Sequence, residues 1–321
     1  QLLVQNDSLD PLFNRALMAK YPPGSIFKIV QALIALDERV INESTAIACN
    51  KALVGCHNHP SAQNLREAIQ MSCNPYFHQV FKRMINRGTT SNYFEDSSIG
   101  LEAWEKRVKK FGLGNRLGLD LPSLKSGSIP DVALYDGIYG TRRWAFSTIY
   151  SVSIGQGEVE VVPIQMANLA AIIANRGYYV DPHIVKELDG QRDSSLHYET
   201  HSTEIDAAFF EPVIDAMQRV VDRPGGTARR ARIDSIIVCG KTGTAENPHG
   251  EDHSVFIAFA PRENPQIAIA VYVENAGFGG TWAAPIASLM IERYIRGSIS
   301  DSLKEARVLE ANLLNVIKDA V

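Results

Sequence analysis

No apolar run in this chain approaches the roughly 18 residues that a membrane-spanning helix needs. Residues 267–273 form one of the longest, and that is the length of a β-strand. There is no surplus of basic charge: 32 Lys and Arg stand against 36 Asp and Glu, a formal net charge of −4. A nucleic-acid surface usually shows the opposite balance, so that partner class is excluded. No internal repeat, low-complexity tract or long charge run interrupts the sequence. Residues 1–10 hold no basic stretch followed by an apolar one, so they are not a secretory signal peptide. An initiating Met is also missing, and the chain reads as a fragment or processed form. What remains is ordinary globular composition, 45% hydrophobic and 21% charged over 321 residues. That length can bury one large core or two modest ones.

The first two thirds read mainly as helix. Pro22-Pro23-Gly24 is a breaker, and the apolar spacing after it predicts a buried helix over residues 25–36. Residues 64–85 read as helical with an interruption at Pro75. An amphipathic helix is expected over 101–111, and an ordered Gly-, Pro- and Ser-rich loop over 119–150. Pro163 opens a helix to residue 174, residues 178–188 look like a strand entering a hairpin, and 209–221 form a helix. The last third changes character. Residues 235–239, 255–260 and 266–274 are short runs rich in Val, Ile and Phe, so an antiparallel meander is expected. A helix over 283–295 follows. Residues 300–321 carry helical spacing at Leu309, Leu313, Leu314 and Ile317, to which no function is assigned. Helices early, strands late and a closing helix predict an α+β fold, helices packed on an antiparallel sheet.

Three short motifs bear chemistry. In Ser25-Ile26-Phe27-Lys28 the i, i+3 spacing lets hydroxyl and amine share a face. A neutral Lys28 could take the Ser25 proton and leave an alkoxide-like nucleophile. Ser-x-x-Lys is also common by chance. Ser72-Cys73-Asn74 is equally short, and a cap or turn before Pro75 explains it as well. Lys241-Thr242-Gly243, flanked by Gly240 and Thr244, follows an apolar run. On a strand edge it could hold a carboxylate, and a hairpin turn is its plainer explanation. Gly155-Gln156-Gly157 lacks the βαβ context of a nucleotide loop.

In order and spacing together, these motifs resemble the penicillin-binding protein and serine β-lactamase superfamily. The segments 21–25, 72–76, 112–122, 153–158, 226–228, 240–246 and 252–254 are similar to class B penicillin-binding protein transpeptidases of the elongation type, the penicillin-binding protein 2 group. The resemblance covers roughly residues 11–296. It implies a transpeptidase fold, an antiparallel sheet flanked by helices with an all-helical lobe. That lobe is inserted over roughly 37–150, and the sheet lobe lies mainly over 178–296. A membrane anchor and N-terminal pedestal of the parent protein are expected outside this chain, on the periplasmic side of the inner membrane.

The resemblance also implies residue roles. Ser25 is the acylated nucleophile and Lys28 its general base. Ser72 relays a proton to the leaving amine, and Asn74 bonds the substrate amide. Lys241, Thr242, Gly243 and Thr244 bind the peptide carboxylate, and the N–H groups of Ser25 and Thr244 form an oxyanion hole. A lysine base must be brought toward neutrality by burial or a nearby cation, and Lys241 is the expected cation. The implied activity is D,D-transpeptidation of peptidoglycan stem peptides, with β-lactam antibiotics as inhibitors. No Glu stands where a class A β-lactamase has its deacylation base. The alternatives are a D,D-carboxypeptidase or β-lactamase-like hydrolase, and a non-catalytic β-lactam sensor. An elongation glycosyltransferase and its scaffold are the implied partners.

Three of the four cysteines fall close together, as Cys49, Cys56 and Cys73, with His57 and His59 among them. Three thiols and an imidazole suit a closed tetrahedral zinc site. Some relatives carry a structural zinc beside the second motif. Cys49, Cys56, His59 and Cys73 are therefore expected as ligands, with His57 close behind His59. The alternative is a Cys49–Cys56 disulfide with Cys73 a buried thiol. Cys239 is expected only to pack. No cofactor is needed for catalysis.

Overall fold

The computed structural model describes residues 12–187, 198–248 and 250–313. The sequence readings at residues 1–10, at the far end of the 178–188 strand and at Leu314 and Ile317 lie outside these. The chain opens with the short helix α1 (Arg15–Met18). A 3-10 turn, Gly24–Phe27, then leads into α2 (Lys28–Asp37). Every residue from Lys28 to Leu36 is buried, so α2 is enclosed all round and forms the central pillar of the core, with Lys28 and Gln31 its only polar buried residues. The expected helix from residue 25 is corrected here, because its first turn is 3-10 and regular α-helix begins at Lys28.

Helices α3 (Leu65–Gln70) and α4 (Asn74–Ile85) flank α2. Asn64 caps α3 by accepting from the Glu67 N–H at 2.9 Å. Pro75 does not interrupt one long helix. It occupies the first turn of α4, where its missing N–H costs nothing, and the break falls at Met71–Cys73. Helix α5 (Tyr93–Lys109) begins earlier than the apolar spacing suggested, because Asn92 caps it. It crosses α4 so closely that a Cβ at Gly100 would lie 2.0 Å from the Ile85 carbonyl oxygen. Inside this bundle Gln31 is fully buried and satisfied, accepting from Trp104 Nε1 at 2.8 Å and donating to the Val152 carbonyl.

The expected loop over 119–150 is corrected too, since it contains α6 (Val132–Tyr139) and α7 (Phe146–Ile149). Asp131 caps α6 through the Leu134 N–H, and buried Tyr135 anchors it against Trp144. Next comes α8 (Pro163–Ala174). The expected strand over 178–188 is cut to β1 (Tyr178–Val180), which pairs antiparallel with β2 (Thr200–Ser202). Helix α9 (Phe210–Asp222) follows.

The main sheet of the described residues is an antiparallel meander: β3 (Cys239–Ala245), β4 (His253–Ala260) and β5 (Ile267–Val273). The predicted strand at 235–239 is replaced by β3, shifted toward the C-terminus. Ser235 sits at φ +64 and Ile237 is 47% exposed, so the apolar run there is an irregular approach to the strand. The register places Lys241 opposite Ile257, Thr242 opposite Phe256 and Gly243 opposite Val255. The third motif is thus within the strand. Helices α8 and α10 (Ala283–Arg296) pack on β4 and β5, and α9 packs on β3. Helix α11 (Ser302–Leu309) is amphipathic but buries no residue. No described helix is long and apolar enough to cross a membrane.

Candidate active site

The three motifs come from distant parts of the chain and meet in one cleft. The 3-10 turn carrying Ser25 is held against β3. Its tightness depends on Gly24, which sits at φ +56 and donates its N–H to the Gly155 carbonyl at 2.8 Å. A Cβ there would lie 2.5 Å from the Thr244 carbonyl oxygen. Ser25, Ser72, Asn74, Thr242 and Thr244 all line a cleft of about 160 Å³.

Lys28 and Lys241 are both fully buried and reach Ser72 from inside the protein. Lys28 Nζ donates to the Ser72 carbonyl at 2.7 Å, to Ser72 Oγ at 3.1 Å and to Asn74 Oδ1 at 2.5 Å. Lys241 Nζ donates to Ser72 Oγ at 2.9 Å and to the Thr242 carbonyl at 2.9 Å. Two amines thus converge on one hydroxyl. The spacing led us to expect Lys28 beside Ser25. No hydrogen bond joins those two side chains, and the amine is turned toward the second motif. Ser72 itself lies at φ +56, a left-handed conformation that a non-glycine residue adopts only where its surroundings impose it.

Burial pushes Lys28 down to about 7. Burial also holds Lys241 well below the ordinary lysine range, and the charge on Lys28 lowers it further. Loss of solvent dominates at both amines, and a positive charge on either one disfavours a positive charge on the other.

His57, Ile154, Gln156, Glu246, Asp252 and Phe278 complete the lining. Of these the sequence reading did not single out Phe278, considered His57 only as a metal ligand, and named the others only within segments that carry the resemblance. Gln156 Nε2 donates to the Thr244 carbonyl, and the Thr227 and Thr242 hydroxyls are 2.7 Å apart. The signals were present as the Gly155-Gln156-Gly157 and Gly226-Thr227-Ala228 segments, whose roles emerge only when the chain brings them to β3. Gly243 accepts no side chain of its own, since a Cβ would come within 2.9 Å of the Pro23 carbonyl oxygen.

Directly behind Ser72 lies the cysteine cluster. The donor atoms of Cys49, Cys56, His59 and Cys73 all fall within 4.8 Å of one another. His59 Nε2 is 3.1 Å from Cys56 Sγ and 3.9 Å from Cys49 Sγ, while His59 Nδ1 faces the Pro60 carbonyl at 2.7 Å. That carbonyl fixes the ring so that Nε2 points at the sulfurs. All the cysteines are free thiols, Cys239 buried at the start of β3. The Cys73 thiol donates to Cys56 and, with the Asn74 N–H and His59, draws Cys56 down to about 4. Cys73 is raised by the same contact and by burial. Three sulfurs and one imidazole at this separation fit a single thiophilic cation. His57 is not among them, as its ring faces the cleft.

Comparison with known proteins identifies the family. The family described as penicillin binding protein transpeptidase domain matches residues 3–292. The chain belongs to that family. Its similarity to the peptidoglycan D,D-transpeptidase MrdA of Acinetobacter baumannii is 30% identity, over 90% of this chain and 44% of that protein. The transpeptidase-domain fold is shared with a crystal structure of Pseudomonas aeruginosa PBP2 in complex with WCK 5153. That match has a TM-score of 0.74 at 28% identity, covering 94% of this chain and 65% of that one. A complex between PBP2 and MreC from Helicobacter pylori matches with a TM-score of 0.74 at 25% identity, covering 92% and 53%. The chain spans about half the length of the curated relatives it matches.

Proposed function

We propose that this chain is the peptidoglycan D,D-transpeptidase domain of a penicillin-binding protein 2-type enzyme, cross-linking stem peptides through a Ser25 acyl-enzyme. One observation carries the reading. Two buried lysines meet on Ser72 Oγ in the cleft that Ser25 shares with the Lys241-Thr242-Gly243 strand.

In this reading Lys28, once neutral and released from one of its three hydrogen bonds to the second motif, turns its lone pair to Ser25 and accepts the Ser25 proton as Ser25 Oγ attacks the carbonyl of the penultimate D-Ala. The N–H groups of Ser25 and Thr244 receive the developing oxyanion. The C–N bond to the terminal D-Ala then breaks, and the leaving amine takes its proton from Ser72, which the Lys28 ammonium reprotonates across their 3.1 Å hydrogen bond. Ser72 suits that task because its two lone pairs already accept from the two lysines, which leaves its O–H to point away from them. Lys241, Thr242 and Thr244 hold the terminal carboxylate, and Asn74 bonds the donor amide. An acceptor amine of a neighbouring stem peptide reverses the steps and releases Ser25. Glu158 accepts from Tyr135 at 2.8 Å and is not part of the cleft lining, whose carboxylates are Glu246 and Asp252.

Zinc is the metal we assign to Cys49, Cys56, His59 and Cys73, where it would supply a structural cross-link and no chemistry. The Asn74 N–H that bonds Cys56 Sγ connects that cluster to the second motif. In the longer parent protein this domain works on the periplasmic side of the inner membrane, with residues 37–150 as the helical lobe and 178–296 as most of the sheet lobe. Its partners are stem peptides, β-lactams, an elongation glycosyltransferase and a scaffold. The complex of the similar Helicobacter pylori protein with MreC supports the last.

Intact-mass measurement after exposure to a fluorescent penicillin tests the reading. The expected result is one adduct on the native chain and none on Ser25→Ala. A persistent adduct that an acceptor amine discharges into a new amide supports transpeptidation. Rapid discharge by water points to a hydrolase, and an adduct inert to amines points to a sensor.

A further inference from the structure

Two rings from different parts of the chain meet at the cleft, and neither belongs to the acyl-transfer machinery. His57 comes from the cysteine-bearing loop. That loop grips Asn74, because Gly55 O accepts from Asn74 Nδ2 at 2.6 Å and Cys56 Sγ from the Asn74 N–H at 3.3 Å. Phe278 comes from the segment after β5, pinned to the sheet by Ser254 Oγ donating to its carbonyl at 3.1 Å. The ring centroids are 5.8 Å apart at 81°, an edge-to-face contact. Both rings line the cleft with Ser25 and Thr244, and Phe278 remains 38% exposed, so this is no core packing pair. A cleft of about 160 Å³ is smaller than the roughly 300 Å³ at which ligand pockets usually begin. Both rings are part of the lining along which a donor longer than its reacting residues extends.

We infer that His57 is a specificity-determining substrate contact, which with Phe278 grips the side chain on the acyl side of the bond that Ser25 attacks. The inference rests on the transpeptidase reading. It follows from the loop's two attachments, since the residues that hold Asn74 also carry the ring. Asn74 bonds the donor amide, so the group next to that amide is the one His57 meets. The contact selects among donors and takes no part in forming the acyl bond.

The test compares two β-lactams that share a reactive core. Benzylpenicillin carries an aryl side chain on its amide, and 6-aminopenicillanic acid carries none. Second-order acylation rates of Ser25 are measured for the native chain, His57→Ala, His57→Phe and Phe278→Ala, with zinc content and thermal midpoint recorded for each. His57→Ala is expected to slow benzylpenicillin about fivefold, the equivalent of one lost ring contact. With 6-aminopenicillanic acid the change stays within about twofold, which on the same scale is below one such contact. His57→Phe restores the benzylpenicillin rate, and Phe278→Ala reproduces the selective loss. Equal losses with both compounds, or no change with either, overturn the inference and leave the transpeptidase reading intact. If the native chain is acylated by neither compound, that reading fails and takes the inference with it.

Discussion

Acylation of Ser25 should rise with pH through a midpoint near 7. Lys28 is fully buried and its proton affinity is pushed down to about 7 from 10.5, the value of an exposed lysine. That net difference is worth about 5 kcal/mol, counted at roughly 1.4 kcal/mol per pH unit, with loss of solvation outweighing the opposing pull of the Cys56 and Cys73 sulfurs. Only the neutral amine can take the Ser25 proton. Its fraction climbs from about a tenth at pH 6 to about nine tenths at pH 8, so the rate should climb about tenfold over that interval. The assay is the second-order rate of fluorescent-penicillin labelling at constant ionic strength. A profile flat from about pH 6 to 8, or one centred near 10, would refute the assignment of Lys28 as the base. The same shift has a stability consequence of definite sign. The folded-state value lies below the unfolded one, so between 10.5 and about 7 the unfolded chain binds a proton that the native state refuses. Native stability is therefore lost as pH falls through that window. Lys28→Met lacks this titration, so its stability relative to the native chain should improve steadily from about pH 10 to about pH 7 while acylation is abolished.

Gly24→Ala forces a Cβ to 2.5 Å from the Thr244 carbonyl oxygen at a φ of +56. It should cost about 1–3 kcal/mol by thermal denaturation and slow acylation more than about tenfold; normal labelling would show that the turn can relax. Gln165 is buried, accepts from the Val162 N–H and shares its amide among the carbonyls of Gly112, Asn115 and Ser126. Gln165→Leu strands those groups and should lower the urea midpoint by the equivalent of about 2–4 kcal/mol. Stripping the cysteine cluster with a strong chelator should release about one zinc per chain, lower the thermal midpoint and expose Cys49 and Cys56 to thiol reagents. Purified protein with no stoichiometric metal would remove the zinc assignment.

Where sequence and fold part company, tertiary structure has overridden a local preference. Residues 236–238 are three apolar β-branched residues in a row, yet the strand begins at Cys239 and runs through Lys241-Thr242-Gly243. Pairing with β4 decides that register, because β4 is buried along almost its whole length and pairs in register with every residue of β3. Residues 132–139 sit among glycines and prolines that suggest a loop. One capping carboxylate at Asp131 and one buried ring at Tyr135 are enough to make that segment a helix. Pro75 shows the same ambiguity. A proline marks a helix boundary, but only the fold says on which side of it the helix lies.

The site divides along the same line. Its residue types and their order are local properties, so Ser25, Lys28, Ser72, Asn74 and Lys241 could be named from the chain alone, and the structure brings their motifs to one cleft. The property that makes them chemically useful is not local. A lysine amine is inert as a base until it is desolvated, and α2 carries Lys28 into a region where its nearest ring is Phe77 and its acceptors are all on the second motif. The core that would ordinarily exclude an ammonium is thus the agent that neutralises it. Folding stability and base strength are set by the same buried volume, and they move in opposite directions. A substitution that lets water reach Lys28 should therefore stabilise the charged amine and raise its proton affinity. It should also move the acylation midpoint upward toward the range of exposed lysines, even when every hydrogen-bonding residue of the cleft is left in place.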